Sequence, residues 1–254
     1  MTGTIPTDIG RLSNLKFLLL NRNALRATIP TAFGGLQSLF YLHVGNNRMT
    51  GTLPPEIFVA SLQHVDVGNN GFIGTLPVAL STITSNLINV NVSNNFFLGT
   101  LPELGKLSSL NTFSAGNNTF TGTLPVIASA ALSVLDVRQN QLTGELPIGL
   151  FIIGKSLSIL NLEQNNFSGK VSPLFGRLMA LNQLNLMGND FTGTIPSTIG
   201  ELTNLQVLHM ELTSLEGTMP LEVCALRQVA LSFLSADCGG TSPKVVCRCC
   251  TSCF

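Results

Sequence analysis

The residues LSILNL, from Leu157 to Leu162, place leucine at the first, fourth and sixth positions, and Asn165 follows three residues later. In an extended chain successive side chains point to opposite sides, so Leu160 shares one face with Leu162 while Asn161 lies on the other. The stretch therefore predicts a short strand with one buried face that ends shortly before an asparagine.

The same pattern recurs along the chain, and its spacing decides the fold. Each occurrence leads to an asparagine or, in the ninth place, a threonine, and these markers are 22 to 25 residues apart. Most markers are followed by Gly-x-Leu-Pro or Gly-x-Ile-Pro, as in Gly99–Pro102. A repeat of this length predicts a solenoid in which each turn is one structural unit. The markers are Asn23, Asn47, Asn70, Asn95, Asn118, Asn140, Asn165, Asn189 and Thr213.

Each part of the repeat has a predicted structural role. Strands of successive turns lie side by side in a parallel sheet, with Leu42 and Val44 inside and Tyr41 and His43 outside. The marker asparagine can bond buried backbone groups of adjoining turns. An apolar column with five phenylalanines follows it and predicts an internal spine, so we expect no cofactor there. The proline opens a short helical or 3-10 segment on the convex side. The sequence thus predicts an α/β repeat solenoid with a concave parallel sheet.

These motifs resemble the plant-type class of the leucine-rich repeat family, which forms the ectodomains of receptor-like kinases, receptor-like proteins and polygalacturonase-inhibiting proteins. The resemblance covers residues 2 to about 223. It implies a right-handed superhelix, a receptor-like or inhibitor-like role in signalling or defence, and a possible co-receptor. The chain departs from the pattern at Ala27, at Thr213 and in Gly169–Pro173, where the proline comes one residue late.

The repeat pattern breaks after Pro220. We therefore divide the chain into a solenoid of about nine repeats, 1–220, and a cysteine-rich C-terminal cap, 221–254. Clustered cysteines predict disulfides in an oxidising compartment, with a pairing that the sequence leaves open. The alternative is a metal site, but the last four cysteines are too closely spaced for the paired knuckles of a zinc site. The ending also resembles that of leucine-rich repeat proteins from microalgae such as diatoms. The six cysteines are Cys224, Cys238, Cys247, Cys249, Cys250 and Cys253.

Composition bears on partners and location. Thirteen acidic and thirteen basic residues give no net charge, which is not the electrostatic footprint of a protein that binds nucleic acid or a charged membrane surface. No apolar run is long enough to span a bilayer. Sequons at Asn91, Asn117 and Asn166 predict glycosylation and, with the cysteines, an extracellular or cell-surface location. Because Met1 is followed at once by the middle of a repeat, without a signal peptide or a cysteine cap, we expect a fragment of a longer protein.

Function is expected at the outward positions of the concave sheet, because the repeated residues are structural. Neighbouring strands are about 4.8 Å apart, so Tyr41, His43 and His64 should form one patch with Asp66. Aromatic residues beside ionisable ones are typical of binding hot spots. Histidines with an ordinary pKa of about 6.5 would also make binding change between about pH 5 and 7. The candidate ligand-binding residues are Phe17, Phe40, Tyr41, His43, His64, Asp66, Asn89, Asn91, Asp136 and Arg138.

The same positions do not favour catalysis. Asp66 and Asp136 are three strands, or about 14 Å, apart, whereas paired glycosidase carboxylates need about 5 to 9.5 Å. His43 beside Asp66 resembles two members of a triad, but no serine or cysteine occupies a neighbouring outward position. Asp136, Arg138 and Glu163 are expected to form a second, smaller charged group. We expect a non-enzymatic extracellular recognition module that binds a protein, peptide or cell-surface glycan.

A second exposed column predicts an alternative function. A regular threonine ladder after the repeated glycine could order water, as in ice-binding proteins of repeat architecture. The competing interpretation is that threonine suits a second, edge-like strand. Glu145 beside Lys170 favours the second interpretation, because these residues would form an ordinary cross-strand pair. The column consists of Thr4, Thr28, Thr52, Thr75, Thr100, Thr123, Glu145, Lys170, Thr194 and Thr218.

Overall fold

A computed structural model describes residues 1–82, 86–127, 129–152 and 155–254. Across these ranges the chain winds into a solenoid with two parallel sheets of eleven strands each. Every turn contributes one strand to each sheet, and pairing always joins a strand to its counterpart in the next turn. The α/β repeat solenoid predicted from the sequence is confirmed.

The first sheet consists of the Leu-x-x-Leu-x-Leu strands. Its central residues are buried and the residues on either side face outward, as in Tyr41–His43. Leu42 and Val44 are fully buried, which confirms the predicted register. The nine repeat strands are joined by two strands from the cysteine-rich end, Phe233–Ala236 and Ser252–Cys253. The repeat strands are Phe17–Leu19, Tyr41–His43, His64–Asp66, Asn89–Asn91, Thr112–Ser114, Val134–Asp136, Ile159–Asn161, Gln183–Asn185 and Val207–His209.

The second sheet follows the marker asparagines and carries the threonine ladder. The strands from Arg48–Gly51 to Ser214–Thr218 each contain a glycine with a positive φ, for example Gly122 at +78°, a conformation that residues with a β-carbon rarely adopt. In Ala24–Ala27 this place is taken by Ala27, at φ +66°. The expected second, edge-like strand is therefore present. The strands are Thr2–Gly3, Ala24–Ala27, Arg48–Gly51, Gly71–Gly74, Phe96–Thr100, Thr119–Thr123, Gln141–Gly144, Asn166–Lys170, Asp190–Thr194, Ser214–Thr218 and Val245–Val246.

Short helices follow the proline in most turns, as predicted, although the turn of Pro125 has none among its described residues. Pro196 stands at the N-cap of Ser197–Glu201 with an extended backbone, and the next residues continue as a 3-10 helix. No described helix has the length and apolar character needed to cross a membrane. The 3-10 helices are Thr7–Arg11, Thr31–Gly35, Pro55–Ile57, Leu104–Lys106, Ile148–Phe151, Pro173–Arg177, Ser197–Glu201 and Leu226–Gln228, and the α-helices are Ala79–Thr82 and Leu221–Ala225.

The core between the sheets contains the predicted phenylalanine spine. Phe72, Phe97 and Phe120 are fully buried and stack with ring centroids 6.2 and 6.3 Å apart. Phe167 and Phe191 continue the same column and are equally inaccessible to solvent. These rings fill the interior with apolar contacts, so the column is structural.

The marker asparagines form a hydrogen-bonded ladder beside this spine. Asn118 accepts the Phe97 N–H at 3.0 Å and donates to the carbonyl oxygens of Val92 and Ala115, both at 3.1 Å. The Ala115 oxygen also accepts from the next marker, Asn140, at 3.1 Å. Each marker from Asn47 to Asn189 thus satisfies backbone groups of its own turn and of the preceding turn, which would otherwise be buried without partners.

The cysteine-rich end is held by three disulfides, as predicted, and the described chain has no free cysteine. It contacts the ninth repeat through the Asp237 carboxylate, which accepts the N–H groups of Leu212 and Thr213 at 2.9 and 3.0 Å. In the other repeats the corresponding N–H groups bond backbone carbonyls of the next turn, as Asn117 and Asn118 bond Arg138 and Gln139 at 2.9 and 3.2 Å. The Asp237 side chain takes the place of those carbonyls at the end of the solenoid. The bonds join Cys224 to Cys249, Cys238 to Cys253, and Cys247 to Cys250.

Candidate functional site

An aromatic patch, formed by Phe17, Phe40, Tyr41 and His64, lies on the outer face of the first sheet. Strand pairing sets Phe17, Tyr41 and His64 in one row across three strands. Tyr41 and His64 stack with centroids 4.9 Å apart, and Phe40 contacts both His64, at 5.3 Å, and Phe17, at 5.9 Å. Phe17 is 57% exposed, which leaves a large apolar ring in contact with solvent. The sequence-predicted proximity of these residues is observed.

A chain of polar contacts runs beside the aromatic patch. His43 Nε2 lies 3.0 Å from Asp66 Oδ2. The other carboxylate oxygen, Oδ1, accepts from the Gly68 N–H at 2.9 Å and from Asn91 Nδ2 at 3.0 Å. Ser93 in turn donates its hydroxyl to Asn91 Oδ1 at 2.6 Å. We call His43, Asp66, Asn91 and Ser93 the His43 network. It fixes the carboxylate and thereby orients the imidazole ring, so these polar groups are in place before any ligand arrives.

His64 differs from His43 in its surroundings. Its Nδ1 lies 2.8 Å from Asn89 Nδ2, and its ring packs between Tyr41 and Phe40. None of the described carboxylates forms an ion pair with it. Burial lowers the pKa of His64 from its usual 6.5, because the aromatic neighbours disfavour the charged form. His64 therefore gains its proton at a more acidic pH than an ordinary histidine.

This lowered pKa has a measurable consequence for stability. The unfolded chain takes up a proton on His64 below about pH 6.5, whereas the folded chain does so only at lower pH. Acidification through this window should therefore destabilise the native protein relative to a His64→Gln variant, and the difference should vanish above the window. Urea unfolding of both proteins from pH 7.5 to pH 4.5 measures the effect, and an NMR titration of the ring gives the pKa directly. A His64 pKa at or above 6.5 would contradict the prediction.

The second predicted group, around Asp136, does not assemble as expected. Arg138 Nε lies 3.7 Å from Asp136 Oδ2, but Glu163 accepts a hydrogen bond from Asn185 at 3.0 Å instead of pairing with Arg138. The pKa of Asp136 is raised by burial, and the charge of Arg138 and its backbone N–H oppose that rise. Asp136 and Arg138 also lie three strands beyond Asp66, so they are not part of the aromatic patch.

The three sequons have different environments. The side chain of Asn91 belongs to the His43 network, in the middle of the first sheet. Asn117 is exposed, and its Nδ2 donates to Asn94 Oδ1 at 2.9 Å. Asn166 begins a strand of the second sheet with an exposed side chain. Asn166 and Asn117 are therefore open to a glycan on the folded surface, whereas a glycan on Asn91 would disturb the contact with Asp66.

Sequence reasoning missed a polar cluster where the ninth repeat meets the cap. His209 Nδ1 lies 3.2 Å from Glu211 Oε1 and 2.9 Å from Ser235 Oγ, and Ser235 donates its hydroxyl to the other oxygen of Glu211. Glu211 and Ser235 are both buried. The serine is inaccessible and hydrogen bonds to the carboxylate, so the cluster joins repeat to cap and presents no nucleophile. Ser235 stands opposite His209 on the next strand of the first sheet, and the spacing of Leu231, Leu234 and Ala236 is the sequence signal that could have placed it there.

The threonine ladder has a regular geometry on the outer face of the second sheet. A β-carbon placed on Gly99 would lie 2.9 Å from Thr75 Cγ2, and one on Gly122 would lie 3.0 Å from Thr100 Cγ2. Each threonine methyl therefore rests on the glycine of the next turn. Within the described ranges Glu145 and Lys170 form no ion pair within 4.0 Å, so the cross-strand pair expected from the sequence is absent.

Comparisons with known proteins agree with this architecture. The family model described as Leucine Rich Repeat matches residues 156–178 and 180–202. A TDR receptor structure is 35% identical, with a TM-score of 0.86 over 92% of this chain and 41% of that chain. The Arabidopsis receptor kinase HAESA, in complex with the peptide hormone IDA and the co-receptor SERK1, is 28% identical, with a TM-score of 0.82 over 100% of this chain and 41% of that chain.

One further similarity concerns the fold alone. A plant ice-binding protein is 24% identical, with a TM-score of 0.74 over 96% of this chain and 80% of that chain. No curated protein matches the sequence. The chain spans about two fifths of the length of the receptor structures that it matches. The repeats, the two-sheet solenoid and these matches define a repeat protein built for an extended surface. The chain is a leucine-rich repeat protein of the plant type.

Proposed function

We propose that the chain is an extracellular recognition module, receptor-like or inhibitor-like, that binds an extended peptide or protein segment on the outer face of the first sheet. One observation carries the proposal: the aromatic patch exposes Phe17 next to Tyr41 and His64. The His43 network fixes polar groups beside it. Apolar anchors flanked by pre-oriented polar groups lose little freedom on binding, which favours affinity.

The similar structures support the ligand class and the location. The HAESA structure contains a peptide hormone and a co-receptor, and we transfer both partner types to this chain as proposals. The sequence left a cell-surface glycan equally open, and the receptor complexes favour the peptide over the glycan. Three disulfides are consistent with an oxidising, extracellular compartment. A catalytic role is not proposed, because His43 and Asp66 are parts of a static hydrogen-bonded network.

Substitution of Tyr41 tests the proposal. Peptides are first selected from a displayed library with the whole protein, and their affinities are then measured by calorimetry. Tyr41→Ala removes the ring that stacks on His64, and we expect affinity to fall about tenfold or more, which corresponds to about 1.4 kcal/mol. Thr75→Lys, on the second sheet, is the matched control and should leave affinity unchanged. Equal binding by Tyr41→Ala and the natural protein would rule out the aromatic patch.

The second candidate is ice binding by the threonine ladder. The observation that favours it is the packing of each threonine methyl on the next glycine, which fixes the side-chain rotamers. Within the described ranges the hydroxyls of Thr52, Thr75 and Thr100 have no hydrogen-bond partner in the protein, so they form a regular row that faces water. The same two variants test this function, with Thr75→Lys as the test variant and Tyr41→Ala as the control. Inhibition of ice recrystallisation should be lost in Thr75→Lys and retained in Tyr41→Ala.

A further inference from the structure

The zero net charge hides a strong separation of charge along the solenoid. Residues 1–52 contain five basic residues and one acidic residue, whereas residues 178–226 contain five acidic residues and no basic one. Because consecutive repeats stack along one axis, the first two repeats are basic and the last two are acidic. The basic residues are Arg11, Lys16, Arg22, Arg26 and Arg48, and the acidic ones at the far end are Asp190, Glu201, Glu211, Glu216 and Glu222.

Three of these arginines are exposed and lie at the basic end of the second sheet. Arg26 and Arg48 are in register on adjacent parallel strands, so two like charges face each other. Arg22 lies on the turn that leads into the first of these strands, and its N–H bonds the Gly45 carbonyl at 3.0 Å. Like charges on directly opposite residues destabilise a sheet. We call Arg22, Arg26 and Arg48 the arginine cluster.

No described residue neutralises the arginine cluster. None of its three guanidinium groups forms an ion pair or a hydrogen bond with another residue in the described ranges. Three other arginines have partners: Arg11 contacts Asp8 at 3.3 Å, Arg138 contacts Asp136 at 3.7 Å, and Arg227 donates to the Leu231 carbonyl at 2.8 Å. The cluster therefore has a full set of planar, forked donors available, the geometry that suits carboxylate and sulfate groups.

The surroundings of the arginine cluster indicate what kind of anion fits. The neighbouring side chains Thr28, Thr50 and Thr52 are exposed, so hydroxyls flank the charges. A protein interface normally has an apolar or aromatic core, and this part of the sheet exposes arginine and threonine instead. A flat, polar, basic surface can contact a hydroxyl-rich chain that carries repeated negative charges.

We propose that the arginine cluster binds an acidic polysaccharide through its carboxylate or sulfate groups. This site lies on the second sheet and is independent of the peptide site proposed for the first sheet. A protein that held matrix polysaccharide through one sheet would leave the other sheet free for its ligand.

Binding to polymers of defined charge tests the proposal with the whole chain. Polygalacturonate supplies carboxylates, dextran sulfate supplies sulfates, and neutral dextran is the control polymer. At about 50 mM salt we expect the protein to bind one or both charged polymers and not dextran, with at least about tenfold weaker binding at about 300 mM salt, where charges are screened. The two charged polymers show which anion the cluster prefers.

Variants assign the binding to the cluster. The triple variant Arg22→Gln, Arg26→Gln, Arg48→Gln should lose at least about tenfold in affinity, because each substitution removes a charge-assisted donor. Arg177→Gln removes one exposed arginine from the 3-10 helix Pro173–Arg177 and should bind within about twofold of the natural protein. All four positions are exposed, and thermal unfolding confirms that each variant is folded.

Three results would overturn the proposal. The first is failure of the natural protein to bind either charged polymer at low salt, and the second is unchanged binding by the triple variant. The third is salt-dependent self-association that the triple variant abolishes, without polymer binding, which would show that the cluster pairs with the acidic repeats of a second copy. None of these results depends on the peptide site.

Discussion

Replacing Cys224 and Cys249 with serine is expected to destabilise the C-terminal end of the solenoid by about 3–4 kcal/mol. The bond closes a loop of 25 residues between the helix Leu221–Ala225 and the final segment, and a longer closed loop restricts the unfolded chain more. Each turn of a solenoid contacts only its neighbours, so the loss should be local. Hydrogen exchange should show faster opening of Phe233–Ala236, while the strand Tyr41–His43 keeps its protection.

The Cys247–Cys250 bond provides the matched control, because it closes a loop of only three residues. Replacing this pair with serine should cost about 1.5 kcal/mol on the same entropic argument. Equal losses for the two pairs would contradict the explanation from loop length. Thiol titration of the denatured, unreduced protein should find no reactive cysteine, and six reactive thiols or bound zinc would contradict the disulfides themselves.

The solenoid could be predicted because the repeat of 22 to 25 residues sets the positions of its strands, turns and buried residues. The Leu-x-x-Leu-x-Leu spacing fixes which residues of a strand face inward, and the marker asparagine fixes where the chain turns. The repeated glycine has a positive φ and supports the threonine of the previous turn, as Gly99 supports Thr75. Residues that share a column in the sequence therefore share an environment in space. For the same reason Tyr41, His43, His64 and Asp66 could be placed together.

The cap was less predictable because its contacts are not periodic. The strand Phe233–Ala236 is the exception, because Leu231, Leu234 and Ala236 continue the repeat spacing with a final alanine. That spacing could have predicted its pairing with Val207–His209 in the first sheet. The disulfide pairing depends on how the last segment folds back against the helix Leu221–Ala225. The same spacing places Ser235 opposite His209, but it does not show that the Glu211 carboxylate contacts both of them.

Individual side-chain contacts on the two sheets could not be predicted from the sequence either. Adjacent positions predicted that Arg138 and Glu163 would associate, but side-chain orientation directs Glu163 to Asn185 instead. Counting charges gave a neutral chain, and only the stacking order along the solenoid shows that Arg26 and Arg48 lie side by side. Total composition therefore carries no information about the local distribution of charge.

Replacing Asn118 with alanine is expected to lower the free energy of unfolding by about 3 kcal/mol, at the upper end of the cost of a buried unsatisfied group. The Phe97 N–H would lose its acceptor, and the Val92 and Ala115 carbonyls would each lose one of two asparagine donors. Those carbonyls keep Asn95 and Asn140 as partners. The main cost should therefore come from the Phe97 N–H.

Two further variants separate this cause from a general effect of losing an amide. Asn118→Asp keeps an acceptor for the Phe97 N–H but turns a carboxylate oxygen toward the Val92 and Ala115 carbonyls. It should therefore recover stability relative to Asn118→Ala only at acidic pH, where the protonated acid can donate to one of these carbonyls. Asn166→Ala removes an exposed amide at the start of a second-sheet strand and should change stability by less than about 0.5 kcal/mol. Urea unfolding of the three variants measures these differences. A loss for Asn118→Ala as small as that for Asn166→Ala would show that the ladder contributes little to stability.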